Sequence, residues 1–141
     1  MEQGIRFKLI WADNDLLEIV LSAWNGEFAG VAKIYVGHGE LVEMAKSLHG
    51  FPQTNPDDRK FDLGDLDPNG LGGATLRFYT KNMAGHAAVE ISIIAGSHLP
   101  GKVQTVTLRA PIEAAAVDGF VAELAKIENQ LDSTAFLRIH H

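Results

Sequence analysis

The sequence has no cysteine, no long apolar run and fewer basic than acidic residues. Without cysteine, disulfide bonds, thiolate catalysis and cysteine-ligated metals are excluded. No apolar stretch approaches the roughly 20 residues of a membrane span. The N-terminal segment MEQGIRFKLIW also lacks the basic start and apolar stretch of a signal peptide. A cytoplasmic location with no membrane partner is therefore the expectation.

The balance of 12 basic and 18 acidic residues gives a formal net charge of −6. Proteins that bind the nucleic-acid backbone carry a basic patch or stripe, so no nucleic-acid partner is expected. The acidity would suit a basic protein partner. It also serves solubility alone, which is the simpler interpretation.

The length of 141 residues fits one domain, residues 1–141, that buries about two thirds of its unfolded surface. Residues 133–141 are predicted to form either a short strand or a loose tail. The final pair, His140 and His141, abuts nothing else recognisable and receives no role.

Residues 16–36 read as two strands joined by Asn25-Gly26, the strongest short-range signal for a hairpin. A two-residue type I′ turn places Trp24 opposite Glu27. The resulting register has an apolar face and a face with one ion pair. On the apolar face this register pairs Leu17 with Ile34, Ile19 with Ala32, Leu21 with Gly30 and Ala23 with Phe28. On the other face it pairs Glu18 with Lys33.

Residues 5–11 alternate between apolar and basic side chains and predict a third, preceding strand. A three-residue loop at 13–15 keeps its apolar residues on the same face, with Asn14 or Asp15 in the left-handed region. The predicted pairs are Trp11 with Leu17, Leu9 with Ile19, and Phe7 with Leu21.

Residues 39–48 then predict a short helix that ends near Gly50 and Pro52. Its buried side should carry Leu41, Met44, Ala45 and Leu48. The polar stretch 53–73 predicts a loop that holds one short edge strand at 61–63.

The next strands flank a turn at 82–85 and pair Phe78 with Val89, Leu76 with Ile91, and Arg77 with Glu90. A further strand includes Val106 and Leu108. A long amphipathic helix should follow Pro111, because apolar residues recur at helical spacing. Its stripe is Ile112, Ala116, Phe120, Leu124, Ile127 and Leu131.

The sequence thus predicts an α+β fold: an antiparallel sheet of about seven strands in βββα-ββββα order, with two helices packed on one face.

No catalytic residue, metal or cofactor is predicted. Residues 65–70 match the first six positions of a calcium loop, but its twelfth position is Leu76 instead of a bidentate carboxylate. No nucleophile elbow or phosphate-binding loop occurs. Ser97-His98 reads as a loop dipeptide, and the acidic pairs Asp57–Asp58 and Asp62–Asp65 as solvated charge. The histidines His38, His49, His86 and His98 lack the close spacing of metal ligands.

One surface does suggest a binding function. In the predicted register, the hairpin face turned away from the helices carries more apolar and aromatic side chains than an antiparallel sheet usually shows to water. This pattern is typical of a partner site or a homodimer interface. The alternative is that the tail, near Phe136 and Leu137, or the Asp-rich loop covers it. The candidate interface residues are Ile10, Leu16, Val20, Trp24, Val31, Tyr35, Glu40 and Glu43.

Two other functional hypotheses stay open. A small-molecule-binding or enzymatic domain would have its pocket between sheet and helices, near His38 and His86. A structural homo-oligomer would have no further activity.

The strings WADNDLLEI, YVGHGEL, LHGFP, DDRKFDLGDLDP and APIEAAAVDGFVAEL occur in this order along the chain. Together they resemble a group of small bacterial proteins whose strand-helix-strand-helix outline is similar to the WapI-type immunity proteins, which neutralise contact-dependent toxins. The resemblance implies a non-enzymatic protein that occludes a basic toxin domain. It supplies no functional residue, because the matching strings are turns, caps and strand faces.

Overall fold

The computed structural model describes residues 2–96 and 103–139, in which strands and helices follow the predicted βββα-ββββα order with one strand added at the end. Ser97, His98, His140 and His141 lie outside these residues. The strands are β1 (Gly4–Ala12), β2 (Leu16–Trp24), β3 (Ala29–Gly37), β4 (Asp58–Gly64), β5 (Gly72–Thr80), β6 (Ala87–Ala95), β7 (Gln104–Ile112) and β8 (Thr134–Arg138). The helices are α1 (Glu40–Leu48) and α2 (Ala114–Leu124), and a short 3-10 turn spans Ile127–Asn129.

The strands form two antiparallel sheets of four instead of the single sheet of about seven. The first has the order β3-β2-β1-β8, and the second has the order β4-β5-β6-β7. A seven-stranded sheet would be about 30 Å wide. Two helices packed along the strands, each about 10–12 Å in diameter, cover at most about 24 Å of that width. Instead, β3 of the first sheet packs against the second sheet, and α2 covers the inner side of β8 at the opposite edge of the first sheet.

The last strand settles the role of the tail. β8 pairs with β1, from Gly4 opposite Arg138 to Lys8 opposite Thr134. Leu137 points into the core, whereas Phe136 lies on the opposite side of the sheet. The tail therefore widens the first sheet and does not fold over it.

Both helices pack on the inner face of the first sheet, as predicted. The rings of Phe7 in β1 and Phe120 in α2 meet edge to face with centroids 5.5 Å apart. The predicted residues of α1, from Leu41 to Leu48, are buried in the same core as both sheets.

β3 lies where the two sheets come closest, because it contacts all four strands of the second sheet. A strand that touches β4, β5, β6 and β7 must cross them, so β3 cannot continue their ladder. Gly30 makes this approach possible: a Cβ there would clash with Cγ1 of Val106.

The register of the β2–β3 hairpin differs from the predicted one by two residues. Ile19 pairs with Ile34, and Glu18 faces Tyr35 instead of Lys33. Four residues, 25–28, connect the strands, because the Asn25 side chain accepts hydrogen bonds from the backbone N–H groups of Glu27 and Phe28. A shift by an even number keeps every side chain on its face, so the predicted core face is correct although the partners are wrong.

In the β1–β2 pair, Leu9 with Ile19 and Phe7 with Leu21 are confirmed. A bulge at Ile10 then places Trp11 opposite Glu18, so the predicted Trp11–Leu17 pair is wrong. The prediction of a left-handed residue at Asn14 or Asp15 is also wrong, since neither has a positive φ. The Asp13 carboxylate closes this turn by accepting from the N–H groups of residues 15 and 16.

The second sheet has the predicted register, including Phe78 opposite Val89 and Arg77 opposite Glu90. The predicted short edge strand is β4. The predicted long helix is wrong at both ends. Pro111 and Ile112 belong to β7, an edge strand where proline is tolerated. Beyond α2 the chain passes through the 3-10 turn, and Leu131 is exposed.

Among the described residues, the structure contains no helix that is long and apolar enough to cross a membrane.

Candidate functional site

The two sheets have very different outer faces. On the second sheet the outer face is charged, with Arg77 Nη2 2.6 Å from Asp58 Oδ2 and Arg109 Nε 2.6 Å from Glu90 Oε2. Ser92 and Thr107 share a hydrogen bond beside these pairs. This is the polar face that an antiparallel sheet usually presents to water.

The outer face of the first sheet is largely apolar and aromatic. Val31 is 64% exposed, Leu16 42% and Tyr35 37%, which are high values for apolar and aromatic strand residues. Val20 and Trp24 are half-buried between their neighbours. On this face, residues that lie opposite one another in β3, β2 and β1 form four rows across the sheet. In that strand order the rows are Tyr35–Glu18–Trp11, Lys33–Val20–Lys8, Val31–Ser22–Arg6 and Ala29–Trp24–Gly4. The neighbouring strand β8 adds Thr134, Phe136 and Arg138 to the same face.

The predicted interface residues of the strands, from Leu16 to Tyr35, therefore lie together on one surface. Trp11 joins them because of the bulge at Ile10, which moves it from the predicted core position to the outer face, where it is 43% exposed. Nothing in the alternation of the sequence marks this bulge, so the predicted position of Trp11 on the core face is wrong.

Trp11 and Tyr35 form the aromatic centre of one end of this face. Their ring centroids are 6.4 Å apart and their planes are at 88°, an edge-to-face contact. Glu18 lies between them in the row, and its side-chain hydrogen bond to Tyr35, more than its charge, raises the pKa of the Tyr35 hydroxyl.

Basic side chains border the aromatic residues. The Arg6 guanidinium lies 5.0 Å from the centroid of the Phe136 ring, and the Arg138 guanidinium lies 5.9 Å from it. Gly4 leaves room for this ring, since a Cβ at residue 4 would overlap it. Arg6, Arg138 and Phe136 were not part of the predicted site, because their position depends on β8 pairing with β1.

The two acidic candidates of α1 lie away from this face. Glu40 accepts a hydrogen bond from the backbone N–H of Gly37 and so stabilises the start of the helix. Glu43 is exposed and pairs with Lys46 at 3.3 Å.

The structure holds His38 and His86 in two separate turns. The Nε2 atom of His38 hydrogen-bonds with the backbone carbonyl of Asp13. Nδ1 of His86 is 2.9 Å from the Asn82 side-chain nitrogen, and His86 lines a groove of about 360 Å³ with Lys81 and Glu113. His86 thus borders this groove, and His38 is not among the residues that line it.

The acidic segments are held by internal hydrogen bonds. Asp65 accepts from the backbone N–H groups of residues 67 and 71, as expected of a plain turn. Asp57 forms a two-point ion pair with Arg59, whose guanidinium also donates to the carbonyls of Ser47 and His49 at the end of α1. In the part of the chain that the structure describes, no group of three potential metal-ligating side chains occurs.

Comparisons with protein-family models, with characterised proteins and with solved structures find no match for this chain.

Proposed function

We propose that this protein is a non-enzymatic binding module that recognises another protein through the outer face of its first sheet. The observation that carries the proposal is the contrast between the two outer faces of one molecule. The second sheet covers its surface with ion pairs, whereas the first exposes Trp11, Val31 and Tyr35. Exposed apolar clusters with Trp and Tyr are typical of protein interfaces.

The fold supports the proposal because the apolar face is built on paired strands and β8 does not cover it. Its strands are fixed by ladders on both sides of β2 and β1, and β8 extends the ladder instead of covering the face. A preformed surface loses little conformational entropy on binding, which favours affinity.

The finer form of this proposal is an immunity-type role, in which the chain occludes a toxin domain without turnover. It is supported by the resemblance of the sequence to WapI-type proteins. A toxin gene next to the gene for this chain across genomes would support it, and consistent absence of such a gene would oppose it.

The binding function is tested with the double variant Trp24→Ala, Tyr35→Ala. Tyr79→Ala combined with Thr107→Ala, on the outer face of the second sheet, is the matched control. We expect wild type and control to retain the same protein from a lysate of the source cells, and the double variant to lose it. Circular dichroism should show the fold unchanged. Equal retention by all three proteins contradicts the proposal.

A second candidate function is a small-molecule site at the groove that His86 borders. The groove of about 360 Å³ has the size of a small ligand pocket, and Lys81, His86 and Glu113 are among the residues that line it. Thermal-shift screening of a metabolite set on wild type and His86→Ala would test it. A ligand that stabilises only the wild type would favour this candidate over the binding module.

The structural homo-oligomer is tested by light scattering at increasing protein concentration. A stable oligomer that persists in the Trp24→Ala, Tyr35→Ala variant would favour a structural role with an interface elsewhere.

A further inference from the structure

The outer face of the first sheet has a charge opposite to that of the whole protein. Among its residues the only acidic side chain is Glu18, and the basic ones are Arg6, Lys8, Lys33 and Arg138. Glu2 pairs with Arg138 at 3.3 Å. Within residues 2–96 and 103–139, Arg6, Lys8 and Lys33 form no ion pair. The chain as a whole has a net charge of −6.

The three cations without an acidic partner lie among the apolar residues. Lys8 and Lys33 flank Val20 in one row, and Arg6 occupies the next row. A partner that covers the apolar residues must also contact these cations. Cations that are dehydrated against an apolar surface without anionic partners would cost affinity.

A second copy of this chain does not provide such anions. Face-to-face pairing would bring Arg6, Lys8 and Lys33 of both copies together, against a single Glu18 from each. Like charges brought together in an interface oppose association. The charge pattern therefore disfavours a homodimer through this face.

A single-stranded nucleic acid supplies anions but matches the rest of the face poorly. Base stacking needs open ring faces. The Phe136 ring already contacts two guanidinium groups, and Trp11 meets Tyr35 edge to face. Leu16 and Val31 offer aliphatic surface, which a protein partner fills and a base does not. A negatively charged chain would also repel the phosphate backbone at long range.

We infer that the partner of this face is a protein surface or segment that combines apolar side chains with aspartate or glutamate. The inference rests on the proposed binding function and specifies its partner. The whole-chain charge favours a basic partner, but complementarity is set by the local charge of the contact surface.

The inference is tested by selecting a phage-displayed library of random peptides of about 12 residues on the immobilised protein. We expect the selected pool to be enriched in Asp and Glu next to Leu, Phe or Trp. Its binding should weaken as NaCl is raised, because salt screens charge pairs. A pool enriched in Lys and Arg would overturn the inference.

Three charge variants show where the pool binds. Arg6→Glu, Lys8→Glu, Lys33→Glu reverses the cations of the face. Lys46→Glu, Lys60→Glu, Lys126→Glu changes the net charge equally at exposed lysines elsewhere. We expect the first variant to bind the wild-type pool about tenfold more weakly or worse, and the control to lose little. The neutral variant Arg6→Gln, Lys8→Gln, Lys33→Gln should lose an intermediate amount of binding to the pool. It is the control for misfolding of the charge-reversed variant.

Failure of the inference and failure of the proposed function give different results. A pool that loses binding in Trp24→Ala, Tyr35→Ala but not in the charge reversal supports the function and overturns the acidic partner. A pool that is indifferent to both variants, or no enrichment at all, overturns both. Oligothymidylate that binds more tightly than the pool would assign the face to nucleic acid. A dimer that the Trp24→Ala, Tyr35→Ala variant abolishes would assign it to a second copy.

Discussion

The Trp11 and Tyr35 rings meet edge to face across the outer side of the first sheet, with 6.4 Å between their centroids, although one strand separates them. The strand between them contributes Glu18 to the same row. This relationship depends on the bulge at Ile10. Without the bulge, Trp11 would point into the core and the face would lose one of its two exposed rings.

The first expectation concerns the hydroxyl of Tyr35. Because Glu18 raises its pKa through a hydrogen bond and through its charge, Glu18→Gln should lower the pH at which Tyr35 ionises. The measurement is ultraviolet titration in a Tyr79→Phe background, which leaves Tyr35 as the only tyrosine. Lys60→Gln, a distant charge change, is the control. An unchanged titration in Glu18→Gln would show that the pair is not formed in solution.

The second expectation concerns Arg59, which joins β4 to the end of α1. Its side chain is 18% exposed and that of Asp57 only 9%, so the pair is largely shielded from water. We expect Arg59→Met to lower the free energy of unfolding at pH 7 by about 2–4 kcal/mol, because Asp57 and two carbonyls lose their donor. Urea denaturation measures the effect. Lys46→Met, which removes an exposed ion pair, should cost about 0–1 kcal/mol.

The same pair makes stability depend on pH. The Arg59 side chain, more than the backbone N–H of Gln53, holds the pKa of Asp57 below its usual range. The contribution of the Arg59–Asp57 pair to the free energy of unfolding is therefore complete above the pKa of an aspartate in the unfolded chain. It is lost as the pH falls through the lowered pKa of Asp57 in the folded protein. The difference in the free energy of unfolding between wild type and Arg59→Met should become smaller in that acidic range. A constant difference across the range would contradict the assignment to Asp57.

The third expectation compares two glycines. Gly30→Ala should reduce the free energy of unfolding by about 1–3 kcal/mol, because its Cβ would overlap Val106 where β3 crosses the second sheet. Gly119→Ala, within α2, has open space around its Cβ and should raise it by about 0.5–1 kcal/mol. Thermal or urea unfolding measures both changes. Equal effects of the same sign would contradict the crossing geometry.

The fourth expectation concerns the connection between β2 and β3. The Asn25 side chain accepts from two backbone N–H groups and donates to the carbonyl of Arg109 in the second sheet. Asn25→Ala should cost about 1–2 kcal/mol of unfolding free energy, since all three bonds are lost. Asn25→Asp keeps the acceptor and loses only the donor, so it should cost less. A larger loss for Asn25→Asp than for Asn25→Ala would contradict these roles.

Most of the helices and strands were predicted from local sequence patterns. The turn at 82–85 fixed the β5–β6 register, because both strands alternate cleanly up to it. In the first hairpin, Asn25-Gly26 indicated the turn but not its length. The side chain of Asn25 binds the backbone of Glu27 and Phe28, and the loop becomes two residues longer. The core face was nevertheless predicted correctly, since an even shift leaves each side chain on its side.

The long helix failed for a different reason. Ile112 and Ile127 match a helical stripe in the sequence, yet Ile112 is the last residue of a strand and Ile127 belongs to a 3-10 turn. Both are buried in the same core. Burial alone produces the spacing that a helix would produce, so the stripe does not distinguish the two.

The sequence by itself determined the class of the fold, the order of its elements up to α2 and the apolar side of the seven predicted strands apart from Trp11, because these depend on periodicity over a few neighbouring residues. Only the tertiary structure decided that the strands divide into two sheets and that β8 pairs with β1. It also decided that Trp11, Arg6 and Phe136 share one outer face. These relations join residues up to 134 positions apart, as Gly4 and Arg138 are. They also depend on a single-residue bulge and on how far β3 crosses the second sheet. No local pattern encodes such contacts, because the backbone ladder and the core packing that select them exist only in the folded chain.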